Sequence, residues 1–147
     1  MTTLASLITT EELAQLKLAV LNSVLNDKPF PGSDIILRFP DLPFVLTQTA
    51  VYLADEEVKE TVLLEKLNKP LQLVTEEKLK EITTQGKTIF FKFRPEKAAE
   101  NAFLLSLDAS VYSSIQERTS ILSSLRIKFQ KEEGSWVLKE SPTFLSA

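Results

Sequence analysis

The sequence predicts an α+β domain, with N-terminal helices packed on one face of a curved antiparallel sheet of four or more strands. Three observations carry this. Apolar residues recur at helical spacing from Leu13 to Leu25. From Lys87 onward the period changes to two. Helices and loosely assigned strands come first and a strand meander follows, an order that belongs to α+β folds rather than to alternating βαβ units. The 147 residues suit a single domain, 1–147.

The first helix has a capping box, with Thr9 as N-cap and Glu12 at the third helical position. Leu13, Leu16, Val20 and Val24 form its stripe, widened by Leu21 and Leu25, while Lys17, Asn22 and Asn26 lie off that face. Pro29, Pro31 and Gly32 mark a loop. Ile35–Leu37 and Phe44–Leu46 read as short strands, the second extending toward Leu53 through β-favouring residues. The alternative for Thr49–Leu67 is a single long helix. Asp55-Glu56-Glu57 reads as a helix start, with Val58, Val62, Leu63 and Leu67 on one side and Pro70 as its end. After an extended Leu71–Val74, Thr75 caps a small helix whose Leu79 and Ile82 face inward, with Gly86 as its stop.

Three half-buried strands follow. Ile89, Phe91 and Phe93 share the core face with Phe103, Leu105, Leu107, Ala109 and Val111, and with Ile121, Leu125, Ile127 and Phe129. A fourth strand is Trp136–Leu138. Side-chain parity requires an even loop if Trp136 is to face the core, and a four-residue connection sets Phe129 opposite Trp136.

Composition narrows function by subtraction. There is no His and no Cys. The usual zinc sets, iron–sulfur ligation and His-based nucleophile systems therefore cannot be built. An all-oxygen Mg or Ca site stays open in principle, but no Ca-loop pattern occurs and the three glycines form no phosphate loop, so no cofactor and no metal are expected. The formal charge of −3 argues against nucleic acid as partner. No apolar run is long enough to span a bilayer, and the start lacks a basic leader, so the expectation is a cytoplasmic protein with no membrane partner.

The last half of the chain carries a resemblance. Residues 101–112 and Leu125–Leu138, with an acidic-Gly turn before Trp136-Val137-Leu138, resemble nuclear-transport-factor-2-like and cystatin-like proteins, as does the helix-to-aromatic-strand stretch Leu71–Arg94. The resemblance implies a cone-shaped roll wrapped on an N-terminal helix, often dimeric, sometimes with a pocket. Enzymes of that group place His or Asp in the pocket, so a chain without His leans away from catalysis, and no catalytic residue is carried over. The chain also resembles, less closely, the small acidic secretion chaperones, though those usually close with a helix.

The outward sheet face should carry Lys92, Arg94, Asp108, Tyr112, Arg126 and Lys128. The two allowed registers set Asp108 opposite either Arg126 or Ser124. The same face should expose Phe90, Leu104, Leu122 and Val137, a contact surface for a homodimer or another protein. Tyr52, Arg38 and glutamates of 55–60 are candidates for a pocket between helix and sheet. Two hypotheses follow: a non-catalytic interaction module, and a cone protein holding a small apolar ligand or running a reaction with Asp108, Tyr52 or Tyr112. A client-binding chaperone is a third. If Asp108 lines a closed cavity with a raised pKa the second gains; if it lies on an open sheet face beside Arg126 the first gains.

Overall fold

The computed structural model describes residues 8–40, 42–46, 50–55, 58, 62–65, 68–138, 140 and 142–146. Helices α1 (Thr10–Asn26), α2 (Leu42–Leu46) and α3 (Glu76–Ile82) accompany nine strands: β1 (Tyr52–Ala54), β2 (Leu63–Leu64), β3 (Lys69–Pro70), β4 (Gln72–Val74), β5 (Lys87–Ala99), β6 (Ala102–Ser113), β7 (Arg118–Glu132), β8 (Ser135–Leu138) and β9 (Thr143–Ser146). Seven strands form a sheet that curls like a half-barrel, in the order β4-β1-β5-β6-β7-β8, with β9 also on β7. The sheet is mixed: β1 runs parallel to both β4 and β5, and the rest is antiparallel. The expected antiparallel meander is therefore the larger part of a wider sheet.

Helix α1 begins as its sequence dictates. Thr9 Oγ1 accepts from the Glu12 amide, and Glu12 Oε1 accepts from the Thr9 amide. Its stripe packs into the core with Phe91, Phe93, Leu105, Leu107, Ile127 and Phe129. The stripe is wider than the sequence indicates, because Lys17 is buried too. Buried Ser23 accepts the Leu37 amide at 2.8 Å and so ties residues 35–37 to the helix. That segment is not a strand: its ladder is one isolated bridge, Pro29 to Ile36. The stretch expected as strand 44–46 belongs to helix α2, where Pro43 falls in the first turn and its missing N–H forfeits no helical bond. The expected helix over 55–67 is contradicted at Leu63–Leu64, which pair with β3; Glu56, Glu57, Glu60 and Leu67 lie outside the described residues.

Helix α3 starts at the Thr75 cap as expected, but it ends at Thr83 rather than Gly86. Gly86, with φ of +89°, instead turns the chain into β5. Leu79 of α3 packs with Phe90, Tyr112 and Ala54, which alternate with the inward set. The helices therefore do not share one face: α1 covers the inner side and α3 part of the outer.

Two register details shape the sheet. Strand β7 ends in the two-residue turn Glu133–Gly134, with φ of 50° and 81°, the left-handed pair that suits the twist of a hairpin. Phe129 thus pairs with Leu138 and Lys131 with Trp136, two residues away from the expected register. Parity is unchanged, so Trp136 still meets the inner face, edge-on to Phe103 at 4.9 Å. The second detail is a bulge. Ala109 pairs with Ser123 but Ser110 with Ile121, which leaves Leu122 without a partner in β6. The extra residue reverses the alternation. Ile121, expected inward, is therefore 45% exposed on the outer side.

Candidate functional site

A cleft of about 590 Å³ opens where β1 and β4 end. Both strands stop, at Ala54 and Val74, while β5, which pairs with β1, runs on to Ala99. Beyond Phe91 no described residue pairs with the β1 side of β5. Ligands in open sheets with parallel strands favour such carboxyl ends, because the loops diverge there and leave a crevice. One wall is Ala54, Asp55, Val74 and Thr75; another is Glu76 and Glu77 at the start of α3; the β5 side supplies Lys92, Phe93 and Pro95; and Lys17 of α1 completes the lining. Pro95 is tolerated there because an unpaired strand edge needs no amide donor. The volume falls within the range of roughly 300–1,000 Å³ usual for small-molecule sites.

The floor is charged. Lys17 Nζ donates to Asp55 Oδ2 at 2.8 Å, with the two side chains only 5% and 6% exposed. The same ammonium stands over the Phe93 ring, 5.7 Å from its centroid. Asp55 Oδ1 accepts from the Val58 amide at 3.2 Å, so the carboxylate is held from a second side. Nearer the mouth Lys92 pairs with Glu76. The sequence conceals Lys17 because a lone lysine on a helix reads as solvent-facing. Its position one turn before Leu21 and three residues before Val20 was the available signal.

The candidates singled out from the sequence fall elsewhere. Asp108 lies on the outer sheet face and is buried by its neighbours. Arg94 donates to it from Nε at 3.1 Å and from Nη2 at 3.3 Å, and Ser124 Oγ–H from 2.5 Å. Of the two allowed registers the structure has the one facing Ser124, not Arg126. The hydrogen bonds that Arg94 donates to Asp108 raise the pKa of Arg94 above its ordinary value; the Asp108 and Glu96 charges act in the same sense, and burial opposes them. Arg126 stands opposite Ser106 and reaches Glu96 at 3.9 Å. Tyr52 packs on the Phe90–Tyr112–Leu79 cluster. Tyr112 lines a small cavity of about 140 Å³ with Phe90, Leu79 and Arg118. Arg38 is exposed. Neither Asp108, Arg126, Tyr52 nor Tyr112 lines the large cleft.

Of the four expected contact residues, Phe90 is removed from the surface: it is 1% exposed under α3. Leu104, Leu122 and Val137 are half-buried, and Leu145 of β9 joins Leu104 in a shallow depression that also holds Arg126, Lys128 and Glu140. No helix among the described residues is long and apolar enough to cross a membrane, and those residues hold no metal-ligand cluster.

No protein family, curated protein or solved structure matches the chain.

Proposed function

We propose that the chain is a non-catalytic binding module whose ligand site is the cleft at the ends of β1 and β4. The observation that carries this is the Lys17–Asp55 pair on its floor. A buried ion pair is rarely the most stable way to fill space, since apolar side chains of similar volume do as well or better. A pair kept at the base of an open cleft is accounted for by recognition. Asp108, the carboxylate with the strongest sequence case for chemistry, is engaged by Arg94 and Ser124 away from that cleft, which supports binding over catalysis.

The test is a fragment screen on ¹⁵N-labelled full-length chain. Saturable shifts should map to Thr75, Glu77, Lys92 and Phe93. Fragments that shift only outer-face amides, such as Leu104 and Arg126, would refute the assignment.

A second reading has its own observation. Ile121 and Leu145 are each 45% exposed on the outer side, and Leu145 shares a shallow depression with half-buried Leu104. A homodimer joined through this face would cover them. Light scattering at micromolar concentration should then give twice the chain mass, and Leu145→Glu should halve it. A monomeric mass for the unmodified chain removes this reading.

A further inference from the structure

The chemical character of the cleft can be read one step further, on the basis that the cleft is the ligand site. We infer that it takes an organic cation, an ammonium or guanidinium group on a short apolar body. Among the described residues its lining holds two ammonium groups, Lys17 and Lys92, against three carboxylates, Asp55, Glu76 and Glu77. Both ammonium groups are engaged, Lys17 by Asp55 and Lys92 by Glu76. Glu77 has no ion-pair or hydrogen-bond partner among the described residues, so the lining they form has one carboxylate in surplus. Pro95 adds a carbonyl and no amide donor. Acceptors therefore exceed free donors. An anion would meet cations already paired, whereas a cation would meet Glu77, whose attraction offsets part of the cation's lost hydration. The apolar body has its own wall in Ala54, Val74, Phe93 and Pro95. The ammonium of Lys17 over Phe93 shows that this ring already accepts a cation at its face.

The experiment titrates the labelled full chain separately with n-butylammonium, n-butylguanidinium, butyrate and 1-butanol. The two cations should shift the Thr75, Glu77 and Phe93 amides at lower concentration than the other two probes. Glu77→Gln should weaken them by about threefold to fivefold, the scale of a partly exposed ion pair, and Glu81→Gln on the same helix should not. Added salt should weaken the cations and leave butanol unaffected, which reads the charge term in the unmodified chain should the variant unfold. Butyrate or butanol binding in the cleft as tightly as the cations overturns the ligand class while the cleft stands as a site. An unchanged affinity in Glu77→Gln overturns the class as well. Silence of the cleft amides toward all four probes overturns the class and the cleft together.

Discussion

Replacing Lys17 by Met removes the ammonium that Asp55 faces in a site from which water is largely excluded. At 2.8 Å and an effective dielectric near 20, the attraction lost is about 6 kcal/mol. Relaxation and water entry reduce the loss, and breaking a buried pair from one side typically costs about 3–5 kcal/mol. For a chain of this size each kcal/mol moves the melting midpoint by about 2–4 °C. Lys17→Met alone should therefore lower Tm by about 6–20 °C. The double variant Lys17→Met/Asp55→Leu keeps the volume and removes both charges. It should regain most of that loss, because charge burial and charge attraction disappear together. The assay is urea unfolding followed by circular dichroism on the wild type, both single variants and the double. The quantity of interest is the coupling between the two sites. Single variants within 1 kcal/mol of wild type, or a double variant as unstable as the sum of the singles, would show that Lys17 and Asp55 do not act as one charged unit. The double variant should also change fragment binding in the cleft while remaining folded, which separates recognition from stability.

Two further outcomes are expected. Phe90→Ala should cost about 3–5 kcal/mol, the usual loss for an aromatic side chain in a packed site, and thermal melts would show it; a surface residue at that position would cost almost nothing. Thr9→Ala should cost about 1 kcal/mol through loss of the N-cap, and the Glu12 carboxyl adds a pH signature. Its pKa is held below the ordinary 4.5, first by the Thr9 backbone amide and then by the Thr9 hydroxyl. A depressed carboxyl pKa means stability present above the ordinary value and lost as pH falls through the folded one. Amide exchange at the first turn of α1 should accelerate across that interval below pH 4.5 in wild type, and the step should vanish in Glu12→Gln.

Where short-range chemistry decides the outcome, the sequence was informative. The cap at Thr9, the cap at Thr75 and the alternation through Phe91, Leu105 and Ile127 each depend on residues within a turn or a strand. The parity of the last hairpin belongs with them: its register moved by two residues, but Trp136 kept its side. Features set by distant partners were not legible. Strand β1 has only three residues; β-favouring side chains up to Leu53 announced extended chain there, but not its two parallel neighbours β4 and β5. Phe90 lies where alternation places an outward residue, and only the return of α3 over it makes it core. The bulge at Leu122 lies in a run of ordinary strand residues with no Gly or Pro to mark it. Among the site residues, Asp55 reads from the sequence as a helix start and Lys17 as a solvated position. Their meeting spans 38 positions in the chain, and only the fold brings them together.

The unpaired Leu122 also bears on how this chain behaves in company. Among the described residues strand β9 pairs with β7 only between Ser123 and Arg126, and none of them pairs with that side of β7 before Ser123. An uncovered flat strand invites a neighbouring molecule to zip onto it, the first step toward fibrous association. A surplus residue bends the backbone at the boundary of that stretch and disrupts the even spacing that such zipping needs. Deleting Leu122 would straighten the rim and restore the even spacing that edge-to-edge zipping needs.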